Sequence, residues 1–279
     1  MRPYAALCKP RIALMVALTT WLGFAVAGGH FGARLLWTLL GTTLAACACG
    51  CLNQWLEVAQ DSRMTRTAKR PLPAGDLTSP QALAFGLSLA ALGLAVLAWK
   101  SNALALGITG ATLILYLLAY TPLKQVTPQT TWIGAVAGAT PPLVGWAAAR
   151  GNLAAQAWVL FAIQFLWQIP HFLAMFHMHR DDYEKAGFKV MPVVDDRGDV
   201  TAAQIALHSF TVLPASLAPS FCGMAGPAYG LGALVLGTAY LGLGMRASWT
   251  LARVDTRRLF LASLLYLPAI FGMLLLGGV

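Results

Sequence analysis

Three side chains that carry oxygen atoms recur at four-residue intervals in the first third of the chain. They are Asn53, Glu57 and Asp61. On a helix with about 3.6 residues per turn, this spacing places the three side chains along one stripe. Such oxygens suit Mg²⁺, which takes few protein carboxylates and completes its shell with water or phosphate oxygens. We therefore predict that Asn53, Glu57 and Asp61 hold Mg²⁺ at a catalytic centre.

A group of four basic residues closely follows this stripe. They are Arg63, Arg66, Lys69 and Arg70. Because Arg and Lys neutralise the phosphate oxygens that a metal leaves free, the combination favours a diphosphate ligand. In the alternative interpretation, Asp61 only pairs with Arg63 or Lys69, and Asn53 and Glu57 join neighbouring helices by hydrogen bonds. Ionisable groups at membrane depth are costly and usually functional, which favours the site.

A second acidic cluster lies in the segment that follows residue 180. It contains Asp181, Asp182 and Glu184. A second Mg²⁺ held there, facing the first, would bridge a diphosphate leaving group from its other side. We predict Asp181 and Asp182 as metal ligands and Asp182 as a catalytic residue. The alternative is a charged loop exposed to water.

His171 lies inside an apolar run, about three helical turns before Asp182. An intramembrane histidine is a candidate functional residue because a polar ring is costly in lipid. At this point three roles are open: binding a haem iron, orienting a substrate, or acting as a base. A structural hydrogen bond between helices is the alternative to all three.

The composition indicates that membrane helices position these groups. The chain has 279 residues, of which 58% are hydrophobic and 10% charged, and its mean hydropathy is +0.67. Soluble domains carry about 25% charged residues, and about 20 apolar residues cross a bilayer. We predict an all-α membrane bundle of nine transmembrane helices. The apolar segments are 12–29, 35–57, 79–98, 102–120, 130–149, 154–177, 203–223, 228–247 and 259–278.

The distribution of charge predicts the orientation. With the N-terminus inside, 16 of the 19 Lys and Arg residues and all ten acidic residues fall in the inner segments. Positive residues concentrate on the cytosolic side of membrane proteins. We therefore predict a cytosolic N-terminus and a cytosolic active site, in a bacterial inner membrane. The net charge of +9 is explained in this way and does not indicate a nucleic-acid partner.

Several motifs together resemble the UbiA-type intramembrane prenyltransferases, in the form of the protoheme IX farnesyltransferase branch. The first motif is the segment from Asn53 to Gly75, which includes Asp61-x-x-Met64-x-Arg66-Thr67-x-x-Arg70-Pro71-Leu72-Pro73. The others are Lys9-Pro10-Arg11, Tyr120-Thr121-Pro122-Leu123-Lys124, the segment Gly138 to Trp146, Pro170-His171-Phe172, and the segment Arg180 to Val193. The similarity covers about residues 8 to 275.

The resemblance implies a single domain, residues 1–279, with nine helices around a central cavity and a cytosolic cap formed by two inner loops. It implies a Mg²⁺-dependent enzyme that transfers the farnesyl group of farnesyl diphosphate to a vinyl group of haem b. The product would be haem O for terminal oxidases, and a haem A synthase would be the downstream partner.

Roles for further residues follow from this resemblance. The expected diphosphate-binding residues are Arg11, Arg66, Lys69, Arg70 and Lys124. Tyr120 or Tyr183 would stabilise the allylic cation through the face of its ring, and His171 would position the porphyrin.

The sequence departs from the family pattern at two positions. Position 57 is Glu where the family more often has Asp, and Met178 stands four residues before Asp182 where the superfamily has a second Asp.

Two alternative functions are open. They are a prenyltransferase with another acceptor, such as a quinone precursor, or a transporter. A transporter would be expected to place its polar groups near the midplane of the bilayer, whereas here they concentrate on one side.

Overall fold

The computed structural model describes residues 2–277, and within that range all regular secondary structure is helical, which confirms the all-α prediction. The first seven helices are α1 (Arg2–Leu7), α2 (Pro10–Val26), α3 (Ala33–Leu56), α4 (Val58–Asp61), α5 (Ser79–Lys100), α6 (Ala103–Ile114) and α7 (Thr121–Leu123). The remaining eight are α8 (Thr130–Ala139), α9 (Pro141–Arg150), α10 (Ala155–Met178), α11 (Arg180–Lys185), α12 (Met191–Val194), α13 (Asp199–Phe221), α14 (Pro227–Thr250) and α15 (Arg253–Leu276).

Seven helical segments of the described chain are long and apolar enough to cross a bilayer. They are α3, α5, the continuous stretch Ala103–Leu123, α10, α13, α14 and α15. Two of the nine predicted segments differ from this pattern. The α2 helix is apolar but has 17 residues, and the segment 130–149 is divided into two ten-residue helices, α8 and α9. The protein is thus an integral multi-pass membrane protein, and the number nine stays a prediction.

Prolines account for the irregularities near the middle of the chain. The break between α8 and α9 falls before Pro141 and Pro142, which lack the N–H groups that would continue α8. The stretch Ala103–Leu123 widens into a π-helical turn over Leu115–Tyr120, where the amide of Thr121 donates to the carbonyl of Tyr116 five residues earlier. This turn directly precedes Pro122, which removes one ordinary hydrogen bond and crowds the preceding turn.

Small residues allow the closest helix contacts. The α2 and α9 helices cross so tightly that a methyl group on Gly145 would overlap the carbonyl oxygen of Thr20, and one on Gly23 would overlap the carbonyl oxygen of Pro142. The α3 and α5 helices approach in the same way around Gly93. Small residues at membrane helix interfaces allow backbones to approach and maximise van der Waals contact. These two pairs fix the helices that surround the first polar motif.

The loops that follow α4 and α11 pack against each other and form a cap at one end of the bundle, here termed the polar end. Its apolar core joins Met64 of the first loop to Phe188 and Val190 of the second. Tyr183 of α11 and Phe176 near the end of α10 complete this core. The cap predicted for the two polar loops is therefore present.

Candidate active site

The predicted stripe lies at the polar end, across the junction of α3 and α4. Glu57 interrupts the helix there, with φ −105° and ψ 15°. Its amide still donates to the carbonyl of Asn53 at 3.0 Å, and the amide of Asp61 donates to the carbonyl of Glu57 at 2.8 Å. The four-residue repeat therefore survives the break. All three residues are buried: the exposed fraction is 2% for Asn53, 4% for Glu57 and 2% for Asp61.

Both carboxylates of the stripe form ion pairs with basic side chains. Arg70 Nη1 lies 2.6 and 2.8 Å from the two carboxylate oxygens of Asp61. Lys124 Nζ donates to Glu57 Oε1 at 2.8 Å, and both side chains of this pair are nearly inaccessible. Asp61 thus pairs with Arg70 rather than with Arg63, which is exposed. The basic groups lie where they could contact the oxygens of a bound anion.

Lys9 is a member of this network that the sequence analysis did not include among the site residues. Its Nζ donates to Asn53 Oδ1 at 2.8 Å, and Asn53 Nδ2 donates to Thr121 Oγ1 at 3.3 Å. Lys9 has a left-handed backbone, with φ 48°, immediately before Pro10 begins α2. The available signal was the Lys9-Pro10-Arg11 motif, which places a basic residue directly before the first membrane helix.

Tyr120 and Lys124 lie together at the end of the stretch that contains the π-helical turn. The ammonium group of Lys124 is 4.5 Å from the centre of the Tyr120 ring, and the ring of Tyr116 lies 4.9 Å from that of Tyr120. Tyr120 is 9% exposed. The electron-rich face of an aromatic ring attracts a cation, and here it is next to the Glu57 ion pair.

The cap brings the second motif to the first. Arg66 Nη2 donates to the hydroxyl of Tyr183 at 2.9 Å, and the amide of Thr65 donates to Asp182 Oδ1 at 3.3 Å. Burial alone would raise the pKa of Asp182, but the hydrogen bonds from Thr65 and the nearby charge of Lys185 outweigh it, so the pKa lies below its usual range. Asp182 is therefore ionised at neutral pH.

Some predicted residues lie outside this network. Arg11, Lys69 and Asp181 are exposed at the polar end, and none of them is in an ion pair within the described chain. The role of Asp181 and Asp182 as ligands of a second metal ion stays a prediction.

His171 also lies apart, at the contact between α10 and α15. Its Nδ1 is 2.7 Å from Ser263 Oγ, and its ring stacks between those of Trp167 and Phe260, at centroid distances of 5.0 and 4.9 Å. It does not line the apolar cavity next to Asn53. These contacts match the structural alternative raised for this histidine, and its role with a porphyrin stays a prediction.

The donor set fits Mg²⁺ better than a metal held entirely by protein. Within residues 2–277, no three His, Cys, Asp or Glu side chains converge as a metal site. The stripe instead offers two carboxylates and one amide oxygen, all buried at one place. Mg²⁺ is commonly held by one or two carboxylates while phosphate oxygens and water complete its shell. Asn53, Glu57 and Asp61 are thus suitable ligands for one ion bound together with a diphosphate.

An apolar cavity of about 140 Å³ begins where the polar network ends. Lys9 lines its polar end, and the remaining wall comes from α2, α3, α6, α8, α9 and the π-helical turn, with Val16, Leu113, Tyr116 and Val144 among its residues. The cavity lies within the membrane helices. It therefore offers an apolar path that continues directly from the charged stripe.

The family model described as the UbiA prenyltransferase family matches residues 16–275. The chain belongs to this family, as the motifs predicted. A protoheme IX farnesyltransferase of Solibacter usitatus is 42% identical, and the alignment covers 99% of this chain and 98% of that protein. A protoheme IX farnesyltransferase of Anaeromyxobacter sp. is 40% identical over 98% of this chain and 92% of that protein.

Solved structures confirm the fold. A digeranylgeranylglyceryl phosphate synthase has a TM-score of 0.83 at 15% identity, with 99% of this chain and 97% of that chain covered. A UbiA homologue from Archaeoglobus fulgidus, bound to GPP and Mg²⁺, has a TM-score of 0.71 at 15% identity, with 98% and 97% covered. At this identity the likeness concerns the arrangement of helices.

Proposed function

We propose that the protein transfers a farnesyl group from farnesyl diphosphate to a vinyl group of haem b and so makes haem O for terminal oxidases. The observation that carries this proposal is the buried stripe of Asn53, Glu57 and Asp61 with its basic partners. One of these partners, Lys9, also lines the apolar cavity. A prenyl diphosphate has the same two parts, a charged head and an apolar tail. The names of the full-length relatives supply the particular donor and acceptor.

The chain's own residues would hold the diphosphate at the polar end. Asn53, Glu57 and Asp61 would hold Mg²⁺, which supplies positive charge to the leaving group when it is bound. The cations that now contact the stripe, together with others at the polar end, would bind the phosphate oxygens. They are Lys9, Arg11, Arg66, Lys69, Arg70 and Lys124. Fixed charges of this kind stabilise the charge that develops as the bond breaks, and this is usually the largest catalytic contribution.

The apolar cavity would hold the farnesyl chain and keep water from the reacting carbon. The Tyr120 ring lies next to Lys124, whose ammonium group it already contacts through its face. This contact supports a role for the same ring in stabilising an allylic cation. Tyr183 would have the same role from the cap, where Arg66 already contacts its hydroxyl. Asp182 would orient the cap, or support a second ion with Asp181, through its position beside Thr65.

The charge distribution supports an orientation with the N-terminus and the polar end in the cytosol. All ten acidic residues are assigned to that side. The location that we propose is a bacterial inner membrane, since full-length relatives come from bacteria. A haem A synthase as the downstream partner stays a prediction.

The proposal is tested by the product formed in membranes that contain the protein. Membranes supplied with farnesyl diphosphate, Mg²⁺ and haem b should yield a haem whose mass has increased by one farnesyl group and one hydroxyl group, the hydroxyl coming from water. Parallel reactions receive an aromatic acid of the kind used as a quinone precursor. Coupling to the aromatic acid but not to haem would contradict the proposed acceptor.

Asp61→Ala should reduce formation of this product by about 10²–10³-fold, because it removes a carboxylate from the stripe and leaves Arg70 unpaired. Asp196→Asn is the matched control, since Asp196 is exposed and its ion pair with Arg180 lies at the surface. Activity retained in Asp61→Ala, with normal protein levels in both variants, would refute the metal-binding role.

A further inference from the structure

A second, larger pocket lies at the end of the bundle opposite the polar stripe. It has a volume of about 630 Å³ and is formed where α2, α9 and α15 end and where α10 begins. Its polar side chains are Trp146, Arg150, Asn152 and Gln156. The α2 helix begins beside Asn53 and runs away from it, so this pocket is separate from the proposed active site. The proposed reaction does not use it, and of its residues only Trp146 belongs to a family motif.

Arg150 gives this pocket a positive charge with no carboxylate to balance it. Its Nε donates to the carbonyl oxygen of Ala27 at the end of α2, which fixes the guanidinium at the pocket wall. The sequence contains no Asp or Glu between residues 77 and 180. None of the ion pairs in the described residues includes Arg150. The remaining N–H groups of the guanidinium fork are therefore available to an acceptor from outside the chain.

Trp146 adds a buried donor to the same wall. Its side chain lines the pocket, the residue is 7% exposed, and its indole Nε1 has no hydrogen-bond partner within residues 2–277. An indole N–H can only donate, and a buried polar group without a partner is costly and uncommon in folded proteins. A ligand oxygen that reached this edge of the indole from the pocket would satisfy the group.

The other walls are apolar. They include Val26, Met224, Leu274 and Leu275 at the ends of membrane helices. The pocket thus combines an arginine and an indole donor with an apolar side at the level where helices leave the bilayer. An arginine fork and a neutral donor match the tetrahedral oxygens of a phosphate group, and the apolar side matches the chain of a lipid.

We propose that this pocket binds a phosphate group, with Arg150 and Trp146 as the donors. The group is supplied by the headgroup of a membrane phospholipid or by free phosphate. This inference is independent of the proposed prenyl transfer. It predicts a bound phosphate at the end of the molecule that has no role in the reaction.

The test uses the full-length protein, purified in detergent and depleted of lipid. Native mass spectrometry with added dioleoyl phosphatidic acid measures lipid binding, and calorimetry with inorganic phosphate measures the free anion. The wild-type protein should bind the lipid. Arg150→Gln should weaken binding by roughly tenfold or more, because a charged hydrogen-bonding group is lost. Trp146→Phe should weaken it by about threefold to tenfold, because one neutral donor is lost.

Arg34→Gln is the matched control, since Arg34 is an arginine predicted at the same end of the bundle and is not part of the pocket. Its binding should equal that of the wild type. Binding of inorganic phosphate with the same dependence on Arg150 would support the site and assign it to the free anion. Absence of binding by the wild type, equal losses in Arg34→Gln and Arg150→Gln, or unchanged binding in both Arg150→Gln and Trp146→Phe would overturn the proposal. If Arg150→Gln does not fold, the binding measured for Trp146→Phe decides whether the proposal stands, because this variant removes one donor and keeps the guanidinium group of Arg150.

Discussion

The buried ion pair between Glu57 and Lys124 determines how the polar end behaves without substrate. The two side chains are 5% and 11% exposed, and their atoms are 2.8 Å apart. Burying two charges is costly, and the pair is tolerated because each charge compensates the other. Burial would lower the pKa of Lys124, but the neighbouring Tyr120 and the Glu57 carboxylate outweigh it and raise the pKa, so the lysine stays charged. The site thus keeps its positive charge in place before an anion arrives.

Lys124→Met should destabilise the folded protein by about 3–5 kcal/mol, because Glu57 would remain as an uncompensated buried charge. The double variant Lys124→Met with Glu57→Gln should recover most of this loss. Arg180→Gln is the control, since it breaks an ion pair whose Asp196 side chain is 91% exposed and should cost less than about 1 kcal/mol. Thermal unfolding in detergent measures the stability of the single variant, the double variant and the control. Equal stability of Lys124→Met and Arg180→Gln would contradict the buried pair.

The residues of the stripe were predictable because their relation is local. Helix geometry alone places Asn53, Glu57 and Asp61 on one side. Their partners were harder to assign, because Lys9 lies 44 residues from Asn53 and Lys124 lies 67 residues from Glu57 in the sequence. Nothing in the spacing of residues gives such contacts. Only the family resemblance brought Lys124 into the predicted site, and Lys9 was missed as a site residue.

At the scale of the elements, the two cap loops depend on a few contacts across a large sequence separation. Thr65 and Asp182, and Arg66 and Tyr183, are each 117 residues apart. Both contacts connect the segment that follows the stripe to α11. The cap therefore links the two motifs that the sequence shows as separate, and its closure places Tyr183 near the basic residues of the first motif.

Asp182→Asn should loosen the cap, because the hydrogen bond from the Thr65 amide would then reach a neutral acceptor. We expect exchange of this amide to accelerate by about fivefold to tenfold, since hydrogen bonds to charged groups contribute about 1.5–3 kcal/mol and neutral ones about 0.5–1.5 kcal/mol. Hydrogen–deuterium exchange followed by mass spectrometry of the peptide that contains Thr65 measures this. Asp181→Asn is the control, since Asp181 is exposed and its loss should leave the exchange unchanged. Equal protection of the Thr65 amide from exchange in the two variants would contradict its hydrogen bond to Asp182.

The pH dependence of the same contact follows from the lowered pKa of Asp182. A carboxyl group with a lower pKa in the folded state stabilises that state at neutral pH, and this contribution is lost as the pH falls through the lowered value. The cap should therefore be equally protected between pH 5 and pH 8 and should weaken only below about pH 4, the usual pKa of Asp. Protease accessibility of the loop after α4, measured from about pH 3 to pH 8, tests whether the cap loosens only on the acid side.

At the scale of the whole molecule, helix contacts through small residues determine which surfaces meet. The all-α class and most segment positions were predictable from hydropathy, since long apolar runs must be helical in lipid. The divided segment at 130–149 was not, because hydropathy does not respond to the missing N–H groups of Pro141 and Pro142. The position of His171 also depended on packing, since its partner Ser263 is 92 residues away on α15.

Gly145→Ala should strongly disturb the crossing of α2 and α9, because the added methyl group would overlap the carbonyl oxygen of Thr20. Overpacking of this kind typically costs about 1–3 kcal/mol, and here the obstacle is backbone, which cannot rotate away. Gly242→Ala is the control, since a methyl group there meets no atom within 4 Å. Thermal unfolding should separate the two variants, and equal melting temperatures would argue against the close crossing.

Cys222 provides a test of the predicted orientation. It is exposed after the end of α13, whereas the other four cysteines are intermediate or buried. With a cytosolic N-terminus, this residue faces the outside of the inner membrane. A membrane-impermeant maleimide added to cells with a permeabilised outer membrane should therefore label the protein, and Cys222→Ser should abolish the labelling. Labelling that requires disruption of the inner membrane would show the opposite orientation.

The π-helical turn over Leu115–Tyr120 separates the longer part of one membrane segment, Ala103–Ile114, from the three residues Thr121–Leu123 at its polar end. Such a turn holds one residue more than a regular helix in the same length, so the residues after it are rotated relative to those before it. The part from Ala103 to Ile114 can therefore rotate, so that different residues face the lipid and the cavity. Tyr120, Thr121 and Lys124 need not move when this happens. An insertion or deletion in this segment during evolution would be absorbed at the turn, and the length of the cavity could diverge while the diphosphate end is preserved.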